Sequence, residues 1–174
     1  MKNKMMKPTL ITIAFLATFG AGFAFSKMVP TLPETPVMKK VTGIGGIFFK
    51  CRNPQKLKEW YSKNLGLQMD KYGTTFEWRT GADSTKKGYT QWSAFKETTK
   101  YFEPSTKDFM INYRVDNLQA LVELLKADSV TILDTIESVE YGKFVHILDI
   151  EGNKIELWEP IDTEFSKIVG GVTK

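Results

Sequence analysis

The chain is poor in the residues that most often mark cross-linked or catalytic sites. Its 174 residues include one cysteine, Cys51, and one histidine, His146. A lone cysteine excludes an internal disulfide. Cys51 sits in an apolar run and reads as a buried structural thiol rather than a nucleophile. A lone histidine excludes a metal triad of two histidines and a carboxylate. Acidic residues are also missing from residues 1–26, where Lys2, Lys4 and Lys7 stand unopposed. Those three lysines account for three of the four net positive charges, so the rest of the chain carries only +1. The basic balance is therefore a property of the leader, and nothing points to a nucleic-acid surface.

What is present is an ordinary globular composition, 42% hydrophobic and 25% charged, with aromatics at 13%. It has room for one domain with a real core. The basic start is followed by Thr9 to Phe25, almost wholly apolar, small or hydroxylic, ending in Ala24-Phe25-Ser26. This small-x-small end reads as a secretory signal with a cleavage site. The alternative is an uncleaved anchor, because about 17 residues is near the lower limit for spanning a bilayer. No cysteine stands at the end of the apolar run, which excludes a lipoprotein anchor. The expected division is a signal peptide or anchor over 1–26, an extended linker over 27–40 with Pro30, Pro33 and Pro36, a folded domain over 41–161, and a tail over 162–174. The expected location is periplasmic or secreted, with membrane contact only through the N-terminal segment.

Within the domain, Val41–Cys51 reads as a strand. Asn53 is a plausible helix cap with Pro54 in the first turn, and Leu57, Trp60, Tyr61 and Leu65 follow helical spacing until Gly66 stops it. Strands are expected at 67–72, 74–80 and 89–95, with the polar stretch 81–88 separating the last two. The second half repeats this order. Asp108–Val115 reads as a strand, and Asn117 caps a helix with apolar positions Leu118, Leu121, Val122, Leu124 and Leu125. Strands follow at 130–133, 143–149 and 154–159, with 136–140 as a short extended piece. Asn-Pro-Gln-Lys-Leu and Asn-Leu-Gln-Ala-Leu open the two helices, and Tyr-Gly precedes a strand at 72–73 and again at 141–142. These echoes indicate an internal duplication, with 96–107 as the crossover.

Residues 149–160, DIEGNKIELWEP, are the most informative stretch. Gly152-Asn153 suits a tight reversal. In the strand that follows, alternation puts Glu156 and Leu157 on opposite faces. A carboxylate on the concave face of a sheet is costly unless it meets a metal, a proton or a ligand.

The segments VTGIGGIFFKCRNP, WYSKNLGL, MINYRVDNLQAL and DIEGNKIELWEP resemble the vicinal-oxygen-chelate superfamily, which includes glyoxalase I, bleomycin-resistance proteins, fosfomycin-resistance proteins and extradiol dioxygenases. The resemblance spans residues 41–161. It implies an α+β fold: two tandem βαβββ modules forming an open, cup-shaped mixed sheet with the helices outside and the pocket inside the cup. Homodimers are expected by analogy. Metal-dependent relatives place ligands at four strand positions, which align here with Gly46, Gln91, Met110 and Glu156. Glycine has no donor and a thioether is a poor ligand for hard ions. No cofactor is therefore expected, and a divalent metal is the disfavoured alternative.

The resulting expectation is a small-molecule ligand held in an aromatic-lined cup, with Gln91, Trp92, Asn112 and Trp158 as ligand-binding residues. Asn112 shares strand parity with Met110. The rival is an enzyme, a lactoylglutathione-lyase-like lyase, an isomerase or a dioxygenase. In it Glu156 is the catalytic base and His146 its acid–base partner, if His146 faces the cup.

Overall fold

A computed structural model describes residues 41–173. The signal-peptide, anchor and linker assignments fall on residues 1–40 and lie outside the described residues. The elements run β1 (Gly43–Cys51), α1 (Pro54–Leu65), β2 (Thr74–Thr80), β3 (Asp83–Lys96), β4 (Phe109–Arg114), α2 (Leu118–Ala127), β5 (Glu137–Val139), β6 (Gly142–Leu148), β7 (Lys154–Pro160), α3 (Asp162–Ile168) and β8 (Val172–Thr173). One mixed sheet takes all eight strands in the order β5-β6-β7-β4-β1-β3-β2-β8. β1 joins the halves, antiparallel to β4 and parallel to β3.

α1 and α2 start where their caps dictate. Asn53 Oδ1 accepts from Lys56 N at 3.0 Å and Pro54 fills the first turn, while Asn117 Oδ1 accepts from Ala120 N at 3.0 Å. Gly66 ends α1 at φ 71°, a conformation that favours glycine. The helices bury very different faces. Leu118, Leu121 and Val122 of α2 pack on Val145, Ile147 and Leu157 of β6 and β7, forming the main core with Val115. α1 fully buries no residue. It meets the sheet through Tyr61, whose ring lies 4.9 Å from Trp92, which in turn lies 4.9 Å from Phe49.

Several expectations about the strands change. Residues 67–72 form no strand. Asp70 Oδ1 instead accepts from Tyr72 N and Gly73 N at 2.7 and 2.9 Å, a side-chain turn that competes with extended pairing. The edge beside β2 is taken by β8, which pairs in parallel through Thr75↔Val172 and Phe76↔Thr173. The tail is thus built into the sheet rather than appended to it. The polar stretch 81–88 is not a spacer: β3 begins at Asp83, and Thr80 Oγ1 donates to Asp83 O at 2.6 Å to close a tight hairpin. Residues 130–133 contribute a single bridge, Ile132↔Ile147.

Two segments from outside the sheet flank its concave face. Phe102, from the crossover between β3 and β4, is wholly buried with Phe48 and Met110. Beyond the other end of the inward row of β4, Arg114 pairs with Asp162 of α3 at 2.6 Å. The space between these two closures is the cup.

Candidate active or binding site: the cup floor

The register sets one row of residues level across six strands. Thr75 pairs with Gln91, Gln91 with Gly46, Gly46 with Asn112, Asn112 with Glu156, and Glu156 with His146. Side chains level on a sheet share a face, so His146 joins Gln91, Asn112 and Glu156 in lining the cup. The position on β4 level with this row is Asn112, not Met110. Met110 lies two residues away, buried with Phe48 and Phe102. The same alternation turns Trp92 away from the cup. With Gln91 inward, Trp92 must point outward, where it meets Tyr61 and Phe49, so Trp92 is not among the cup residues. Trp158 shares the face of Glu156 but is 2% exposed, stacked on Phe144 at 5.7 Å, and lines the cup as part of its frame.

Glu156, 4% exposed, is the centre of the floor. Its Oε1 accepts from the Tyr101 hydroxyl and from His146 Nε2, the latter at 3.0 Å. Its Oε2 accepts from Asn112 Nδ2 at 2.6 Å. His146 Nδ1 lies 2.6 Å from Asp134 Oδ2, and the His146 backbone N–H donates to Asp134 Oδ1 at 2.8 Å. The outcome is a chain of four groups, from Asp134 at the partly exposed end, through His146 and Glu156, to Tyr101.

This chain sets its own protonation. Burial works against a charge on Glu156, but hydrogen bonds from His146, Tyr101 and Asn112 outweigh it and hold the carboxyl below its usual pKa. Burial likewise works against charging His146, yet the two carboxylates that flank it raise its pKa above the ordinary value. Tyr101 is pushed far upward, by burial first and then by Glu156, so it stays a donor. Burial lowers the pKa of Lys154, although Asp134 and Glu156 oppose the shift. Lys154 Nζ donates to the Tyr101 carbonyl at 2.7 Å and lies 5.0 Å from the Tyr101 ring centre, fixing the crossover loop that carries the phenol.

Asn112 is locked as tightly. A β-carbon placed on Gly45 would lie 2.0 Å from Asn112 Oδ1, so only glycine lets β1 run this close. That oxygen has no hydrogen-bond partner among the described residues. Turning the amide over would aim it at Glu156 Oε2, so the observed orientation is the one a charged carboxylate selects.

As arranged, the row does not fit a divalent ion. Gly46 has no side-chain donor, Gln91 Oε1 accepts from Thr75 Oγ1 at 2.6 Å, and both Glu156 oxygens already hold donors. Among the described residues no cluster of three or more His, Cys, Asp or Glu side chains is placed to hold a metal.

The cup measures about 730 Å³, and a smaller hollow of about 420 Å³ beside it shares Glu137, Phe144 and His146. Several of the aromatic residues that line the cup are ones that sequence reasoning missed. Tyr141, Phe144, Trp158 and Phe165 close on one another with centroids 4.9 to 6.0 Å apart. Phe144 could have been found, since it alternates with His146 on β6. Phe165 and Tyr101 carry no local signal, because they come from the tail and the crossover.

An eight-stranded open sheet, two helices on its outer face and a polar row on its concave face define a cup-fold protein of mixed α+β class. The family model for the Glyoxalase/Bleomycin resistance protein/Dioxygenase superfamily matches residues 43–157, and the chain belongs to that superfamily. Among curated proteins none matches. Among solved structures the chain is similar to methylmalonyl-CoA epimerase from Mycobacterium tuberculosis, with a TM-score of 0.51 and 17% identity over 76% of this chain and 97% of that one. It is also similar to a Streptomyces coelicolor methylmalonyl-CoA epimerase variant in complex with 2-nitronate-propionyl-CoA. There the TM-score is 0.53 and the identity 14%, covering 70% of this chain and 99% of that one. At these identities the likeness establishes the fold alone. The family match ends at residue 157, so α3, β8 and Phe165 lie outside it.

Proposed function

We propose that this chain is an exported member of the superfamily that binds a small organic ligand in its aromatic-walled cup without a divalent metal. The observation that carries this reading is the state of Glu156. The carboxylate at a family ligand position is already satisfied by Tyr101, His146 and Asn112. A cation would have to displace those donors and then find partners that Gly46 and the committed Gln91 do not supply. Export rests on the basic, apolar and small-residue pattern of residues 1–26. Amino-terminal sequencing of the protein recovered from its native compartment tests it.

The enzyme reading keeps Glu156 as a base, and the chain from Asp134 through His146 favours it by offering a path for protons. Three donors and a depressed pKa make Glu156 a weak base, however. Metal analysis of the purified full-length protein, before and after incubation with zinc, nickel, manganese or iron, decides between the readings. The proposal expects no stoichiometric metal after dialysis. One tightly held ion per chain would overturn it.

A further inference from the structure

The charges around the cup are unevenly provided with partners. The carboxylates lining it are Asp70, Glu137 and Glu156, and the cations are Lys71 and His146. His146 is already shared between Asp134 and Glu156. Lys71 Nζ lies 4.6 Å from the ring centre of Tyr72, which is 63% exposed. Lys154 is committed to the Tyr101 carbonyl, and Arg114 to Asp162. Among the described residues Lys71 is therefore the one lining cation without a carboxylate partner, and the lining carboxylates outnumber the lining cations three to two. Glu137, which is exposed, has no ion-pair partner among the described residues, whereas Glu156 is paired with His146.

That wall is made of ring faces and edges. The four rings of Tyr141, Phe144, Trp158 and Phe165 enclose one side of the cavity, and Phe95 and Tyr101, stacked at 5.5 Å, stand on another. Aromatic faces carry negative potential and attract cations, most of all where water is excluded. The chain already uses this attraction outside the cavity, where the Arg114 guanidinium lies 5.1 Å from the Trp158 ring centre and 5.4 Å from that of Trp78.

We propose that the cup takes a hydrophobic organic cation, an ammonium or protonated amine carrying apolar groups, with the positive charge toward Glu137 and the apolar part against the rings. This rests on the reading of the cup as a ligand-binding site and specifies the class of ligand. An aromatic wall alone would accept neutral flat molecules. The surplus of carboxylates turns the preference toward cations and against anions.

The test is calorimetric titration of the full-length protein with three naphthylmethyl probes of similar size bearing a trimethylammonium, a hydroxyl or a sulfonate group. The expected order is ammonium over alcohol by about tenfold or more, as cation–π attraction and an unpaired carboxylate imply, with sulfonate weakest. Glu137→Lys, at an exposed position, is expected to shrink the ammonium-to-sulfonate ratio at least tenfold while the fold is checked by circular dichroism. If alcohol or sulfonate binds as tightly as ammonium, the cation preference is overturned and the ligand-binding reading stands. If none of the three binds, both fail.

Discussion

The two halves of the sheet follow one plan but divide the work unequally. The second half is complete: β4, α2, β5, β6 and β7, with a helix whose Leu118, Leu121 and Val122 are buried. It also supplies Asn112, Glu156, His146 and Asp134, so the polar chemistry of the floor is concentrated there. The first half lacks the strand expected at 67–72 and borrows β8 for that edge, while its helix buries nothing fully. Its contributions to the floor row are Thr75, Gly46 and Gln91, and Gln91 is occupied with Thr75 and Ser93. The difference teaches that a duplicated scaffold can keep its shape in one half while polar function gathers in the other. The borrowed edge carries a consequence of its own, because the segment that supplies β8 also brings Phe165 into the cup.

The comparison is sharpest in the cores. Leu121→Ala removes a buried side chain from the packed face of α2 and is expected to cost about 2–5 kcal/mol in urea unfolding. Next is the latch on α3. Asp162→Asn leaves Arg114, 5% exposed, without its countercharge, and is expected to cost about 3 kcal/mol because such pairs are strongly destabilised by removing one partner. Thermal unfolding followed by circular dichroism measures it. The smallest effect belongs to the first half: Trp60→Ala, at a residue 52% exposed, is expected to change stability by no more than about 0.5 kcal/mol. A large loss at Trp60 with little at Leu121 would invert the comparison.

The floor predicts a pH dependence of stability. His146 has a raised pKa in the folded state, so its contribution is complete below its ordinary value of 6.5 and is lost as pH rises through the folded value. Glu156 has a depressed pKa, so its contribution is complete above its ordinary value of 4.5 and is lost as pH falls through the folded value. Both are present together between those two ordinary values. Urea midpoints measured from pH 4 to 9 are expected to show the His146 contribution decline on the alkaline side, and Glu156→Gln is expected to flatten that decline. Tyr101 and Tyr141 share the surroundings with raised pKa values, which add to a decline at the far alkaline end, whereas the lowered pKa of Lys154 opposes it.

Much of this was legible in the sequence where short-range chemistry decides structure. The caps at Asn53 and Asn117, the stop at Gly66 and the reversal at Gly152, φ 74°, all depend on residues close in the chain. The opposite facing of Glu156 and Leu157 follows from strand alternation, and Leu157 is indeed in the core. The same alternation, applied strictly, forbids Gln91 and Trp92 from sharing the cup. What was not legible depends on distant encounters. Asp134 meets His146 only because β6 runs past its loop, Tyr101 reaches Glu156 from 55 positions away, and β8 finds an edge left open by the turn at Asp70.

The central claim is that Glu156 is held as a charged acceptor in a side-chain chain, with His146 as its protonated neighbour. Because His146 is the only histidine, its imidazole signal in a proton NMR titration is unambiguous. The account predicts a pKa above 6.5 in the wild-type protein, falling when Glu156 is replaced by glutamine. A value at or below 6.5 that does not respond to Glu156→Gln would contradict it.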